Sequence, residues 1–173
     1  MMLSPRKWKF LDNFKLGPDG KYVFTGDTFS LKGDWKKQYL KLSLMNVALA
    51  LCVIGSGLIN AAGMNNTFYV IIPYVVEVIC LFVLLWNSVR IVYAGQVVRS
   101  YIYQPGFSRV CEGAVAIAVF SLLALIGSVI FTALHGFEGK TLQCIFYWVL
   151  KLITVLFGVT LNRFAVKLEW EKL

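Results

Sequence analysis

The chain has 173 residues, 58% of them hydrophobic, with a mean hydropathy of +0.70 and a formal charge of +8. A soluble domain of this length runs at about 45–50% apolar, and the surplus here lies in four long runs, which excludes an ordinary soluble globule. The basic residues flank those runs without any nucleic-acid module, so they read as positive-inside bias and attraction to anionic headgroups, with no nucleic-acid partner.

Residues 1–41 read as a basic cytoplasmic arm. Ser4-Pro5 has the form of a helix start, with Ser as N-cap and Pro at the first helical position. Trp8, Leu11 and Phe14 or Lys15 follow at helical spacing beside Arg6, Lys7 and Lys9, which predicts an amphipathic helix on the membrane. No secretory signal is expected, because the arm has no apolar h-region. Leu16-Gly17-Pro18-Asp19-Gly20-Lys21 is turn chemistry. Tyr22-Val23-Phe24 and Thr28-Phe29-Ser30-Leu31 are rich in strand formers, so a small hairpin or meander is expected, leaning on some other surface. Trp35, Lys36, Lys37, Tyr39 and Lys41 suit an interface leading into the membrane.

Residues 42–162 are read as a four-helix transmembrane domain, with spans at about 42–62, 68–89, 113–134 and 141–161. In the first span Ala48, Cys52, Ser56 and Asn60 recur every four residues as a small-residue packing face. The short loop holding Asn65-Asn66-Thr67 closes an antiparallel hairpin; its glycosylation sequon lies too near the bilayer to be expected to function. The second span carries Pro73, which frees the carbonyl of Tyr69, and Glu77 one turn later.

The connection from Arg90 to Glu112 contains Arg90, Arg99 and Arg109. Tyr93, Val97 and Tyr101 continue a helical spacing, predicting that the second helix extends past the membrane until Gln104-Pro105-Gly106 turns the chain. Ala124, Gly127, Ser128 and Thr132 give the third span a packing seam. His135 stands alone as a loop residue and is a poor metal candidate. The fourth span gathers Cys144, Tyr147, Lys151, Thr154, Gly158 and Asn162 on one face. Residues 163–173 read as a cytoplasmic tail continuing into a short surface helix with Lys167 and Trp170.

Charge fixes the expected orientation. The arm holds nine Lys or Arg, the middle connection three and the tail three, whereas the two short loops hold only Lys140. Both termini are therefore expected in the cytoplasm. Spans two and four then run parallel. Nine steps separate Phe68 from Glu77 and ten separate Thr141 from Lys151, placing both charges about 13.5–15 Å deep in a core about 30 Å thick.

A charge at that depth costs about 2.5–3.5 kcal/mol on insertion scales, so each requires a partner, water or a function. Three readings are open. Glu77 and Lys151 form a structural ion pair, supported by Tyr147, Thr154, Pro73, Ser56 and Asn60; or they line a water-filled path in which Glu77 titrates; or each meets an opposite charge on another subunit. Motifs for acyl transfer, metal hydrolysis and phosphate binding are absent, so an enzyme is not expected, nor a cofactor or metal. The four cysteines read as packing residues. The expected fold is thus an all-α integral membrane protein of four transmembrane helices in two antiparallel hairpins. The expected function is a non-enzymatic accessory or interaction subunit of a membrane assembly. The alternative is a small, oligomeric, proton-coupled transporter or channel with Glu77 as titrating group. The expected partners are anionic lipid headgroups and another membrane protein or further copies of this chain.

Overall fold

The structure is a computed structural model that describes residues 14–16 and 19–173. Four helices are long and apolar enough to cross a membrane: α1 (Trp35–Gly57), α2 (Phe68–Ala94), α3 (Ser100–His135) and α4 (Thr141–Val166). Short connections make consecutive helices neighbours, and α4 closes the ring against α1. α2 packs most extensively on α3, and α1 packs least on α2. The protein is an all-α four-helix membrane protein. Large apolar side chains such as Leu51, Phe82, Leu122 and Leu156 stay exposed on its flanks, as a lipid-facing surface requires.

Lipid offers little hydrophobic drive for helix association, so close approach has to come from small residues. Gly127 of α3 sits against the carbonyl oxygen of Tyr69 on α2, where an added Cβ would stand 2.5 Å away. Gly158 of α4 lies similarly against the Ala114 carbonyl of α3, at 2.8 Å. Gly57 of α1 leaves space for the Tyr74 hydroxyl of α2. The seam at Ala124, Gly127, Ser128 and Thr132 is buried as the spacing predicts. The first-span stripe is offset instead. The buried face of α1 is Tyr39, Leu42, Asn46, Leu49, Val53 and Ser56, and Ala48 and Cys52 lie only half-buried beside it.

Outside the spans the chain builds two small sheets. β1 (Phe14–Leu16) and β2 (Tyr22–Phe24) form an antiparallel hairpin, with Phe14 opposite Phe24. The amphipathic helix expected over residues 4–15 lies largely outside the described residues, and Phe14 and Lys15, at its end, are strand. The hairpin is also made by β1 with β2, not by β2 with β3 (Thr28–Leu31). β3 is the centre of a second antiparallel sheet, flanked by β4 (Val97–Arg99) and β5 (Trp170–Lys172). That sheet joins the arm, the α2–α3 connection and the tail at one end of the bundle.

Three further expectations are corrected there. α2 stops at Ala94, because Gly95 takes φ 80° and its carbonyl accepts from the Tyr39 hydroxyl at 2.9 Å. Val97 therefore enters a strand. Gln104-Pro105-Gly106 does not turn the chain; it lies inside α3, where a proline five residues from the helix start interrupts only the first turns of the ladder. The tail is not a surface helix. α4 ends at Val166, and the backbone of Leu31 to Lys32 takes up Glu169 and Trp170 as partners. The sheet leans on a terminal core in which Leu31, Tyr39, Ile91, Val110 and Ala165 are buried. Phe29 stacks on Tyr103 at 4.4 Å and Tyr103 meets Trp170 at 4.8 Å. Between sheet and membrane, Asp34 caps α1 through the Lys37 backbone N–H at 3.3 Å, and that hydrogen bond lowers the Asp34 pKa.

Candidate functional site

Glu77 reaches the bundle interior because α2 places Val70, Glu77, Leu81, Leu84, Ser88 and Ile91 on one buried face. α4 does the same for Cys144, Tyr147, Lys151, Thr154, Gly158, Leu161 and Ala165. α2 and α4 are diagonal in the ring, so their inward faces meet across its axis. There the Lys151 Nζ donates to Glu77 Oε2 at 2.5 Å, and both side chains are 0% exposed. The pair lies between a central apolar core containing Leu49, Val53, Leu84 and Ile117 and an end core of Met64, Val70, Phe131 and Tyr147. Low dielectric on all sides strengthens the attraction and raises the cost of losing either partner.

The ammonium has aromatic neighbours. Its Nζ stands 4.9 Å from the Tyr74 ring centre and 5.6 Å from that of Tyr147, within the range where a ring face attracts a cation. Ser121 of α3 donates to the Lys151 carbonyl at 3.3 Å, so a third helix touches the α4 backbone at the pair. The Tyr147 hydroxyl is buried without a protein partner, and Glu77 Oε1 makes no close hydrogen bond, although the Ser121 hydroxyl also lies near the carboxylate.

The expected supporting residues divide. Tyr147 is at the pair. Thr154 is buried on the same face but donates to its own helix, at Leu150 O, 2.8 Å. Ser56 likewise donates to Val53 O. Pro73 lies within α2, and the Tyr69 carbonyl it frees is the one that Gly127 meets. Asn60 does not join the site: α1 ends at Gly57, and exposed Asn60 accepts from the Asn65 N–H at the 3₁₀ turn Ala61–Asn66. Tyr74 and Ser121 were missed. Tyr74 carries a usable signal, an aromatic one turn before Glu77; Ser121 carries none, since its donation depends on how α3 lies against α4.

Chemically the site is a closed charge pair with spare hydrogen-bonding capacity. Among the described residues no three of His, Cys, Asp and Glu converge to hold a metal, and the four cysteines are free. His135 ends α3, stacked on Phe131 at 4.5 Å. Comparison with protein-family models, with curated proteins and with solved structures yields no match.

Proposed function

We propose that this chain is a non-enzymatic integral membrane protein that acts by association, as an accessory subunit of a larger membrane assembly. In this reading both termini are cytoplasmic, and the Glu77–Lys151 pair is an internal clamp that sets how the helices pack. The observation that carries it is the ion pair made within one chain, fully buried and spanning the bundle diagonal. Such a pair specifies register and packing more than it adds net stability. The sheet supports the same reading, because it holds three separate segments as one surface at the basic end. Extraction of native membranes in mild detergent, followed by purification on this chain, tests the proposal. A stoichiometric second protein is the expected result; a lone monomer overturns it.

One observation favours a second reading. Glu77 Oε1 and the Tyr147 hydroxyl make no close hydrogen bond within the protein, and intramembrane carboxylates of this kind include the members of proton relays. In that reading the chain is a small proton-coupled transporter with Glu77 titrating. Glu77→Gln would then abolish pH-driven flux in proteoliposomes while the variant stays folded. Equal flux in the two proteins removes this reading.

A further inference from the structure

The least extensive of the helix contacts around the ring, α1 with α2, leaves a lateral cleft of about 250 Å³. Its lining includes Ser43, Asn46 and Val47 from α1 and Leu85, Ser88 and Val89 from α2. Two of these carry a buried oxygen with nothing to bond. Asn46 is 4% exposed and Ser88 3%, and neither Asn46 Oδ1 nor Ser88 Oγ has a protein partner. Ser88 is unusual here. The hydroxyls of Ser56, Ser128, Thr132, Thr154 and Thr160 all donate back to a carbonyl of their own helix, which is the ordinary solution in a membrane. Ser88 leaves that bond unmade, and the Asn46 amide oxygen lining the same cleft is unpartnered too.

We propose that the cleft binds a single lipid chain whose head carries a hydroxyl, held by Asn46 and Ser88. With the two buried side chains turned toward the cleft, such a hydroxyl would donate to Asn46 Oδ1 and accept from Ser88. The chain would lie along Val47, Leu85 and Val89. Depth agrees with this. Asn46 is five residues from Lys41 and Ser88 two from Arg90, about 7.5 and 3 Å along the helices from the basic girdle. Glycerol and ester groups of membrane lipids sit at that level, just inside the headgroups. Size agrees too: at about 250 Å³ the cleft is below the ~300–1,000 Å³ of drug-sized pockets, so it seats part of one chain and not a bulky ligand. A partner helix fits less well. Close helix approach needs small residues, whereas the outer walls are Val47, Leu85, Val89 and Val92.

The test uses the full chain in bilayer nanodiscs with a monoacylglycerol carrying a diazirine in its acyl chain. After irradiation the label should map to peptides containing Val47 and Val89 and be displaced by unlabelled monoacylglycerol. It should fall at least fivefold in the Asn46→Leu/Ser88→Ala variant. Val47→Trp, at an exposed position, fills the cleft without touching the polar pair and should cause the same loss; it decides the matter where the double variant does not fold. The proposal is overturned by label spread evenly around the helices. Equal labelling by the corresponding methyl ester, which has no hydroxyl, also overturns it. So does native-membrane crosslinking from position 47 that captures a protein helix in place of lipid.

Discussion

Glu77 and Lys151 are each tolerable only because the other is 2.5 Å away. Glu77→Lys or Lys151→Glu leaves two like charges in a closed core. Each single change is expected to cost about 3–5 kcal/mol or more, the range for breaking a buried pair, and to abolish folded yield. The double exchange should recover much of it, read by monodisperse elution in detergent. Singles that fold normally would mean that the charges see water. Gly127 is held by a steric constraint. Its α-carbon faces a backbone oxygen that cannot swing aside, so Gly127→Ala should lower thermal stability by about 1–3 kcal/mol through overpacking. Gly55→Ala, whose Cβ would meet only a Leu150 methyl at 3.8 Å, should be neutral or mildly stabilising. Legibility differs at these residues. Glu77 and Lys151 declared themselves by the rarity of charge inside apolar runs and by equal depth. Asn46 and Ser88 did not, because a lone Asn or Ser in a span is ordinary until its hydrogen bonds can be counted.

The elements tell a similar story with a different boundary. Helices were legible because long apolar runs in lipid have one way to satisfy their backbone. The strands were legible as propensity at Tyr22–Phe24 and Thr28–Leu31 but not as pairings. β3 takes partners some 70 and 140 residues away along the chain, and nothing in three or four residues encodes so distant a register. The tail was misread for the same reason: Trp170 alternates no better than it spirals, and only Tyr103 and Phe107 waiting on α3 decide its state. Removal of residues 168–173 should therefore act at a distance. It uncovers Leu31 and Tyr103, and limited proteolysis should then cut the arm between residues 19 and 34 faster than in the full chain, with the membrane helices still protected. An unchanged cleavage rate would mean that the sheet adds no local stability. Lys172→Ala alone should change little, because its bond to Asp27 is between groups more than half exposed and such pairs contribute about 0–1 kcal/mol.

For the whole molecule, residues 1–41, 90–112 and 163–173 of the sequence carry fifteen of the seventeen Lys and Arg, and among the described residues the sheet gathers strands from these three stretches at one end of the bundle. The proposed orientation follows from that asymmetry. With the four native cysteines replaced by serine or alanine, a cysteine at Lys140 should react with a membrane-impermeant maleimide on intact cells, and one at Leu173 only after the membrane is opened. The reverse pattern would invert the topology. α3 is 36 residues long, about 54 Å at 1.5 Å per residue, so it exceeds a hydrocarbon core of about 30 Å. Its first turns, where Tyr103 and Phe107 receive the sheet, are surplus to a single crossing. In the association reading, that supported end is the surface offered to a soluble face of a partner, and the lateral cleft is a separate feature within the membrane.

By itself the sequence determined the membrane class, the number of spans, the inward faces of α3 and α4 and the matched depth of the two charges. These follow from local quantities: hydropathy, helical periodicity and rise per residue act within a few turns and need no knowledge of neighbours. Tertiary structure alone decided that Glu77 and Lys151 meet across a diagonal, that Ser121 and Tyr74 attend them, that three remote strands share one sheet, and that α1 and α2 part to leave Asn46 and Ser88 unpartnered. Each of these depends on which surfaces face one another, and that is settled by the packing of small residues between helices, a property of pairs of segments and not of any one of them.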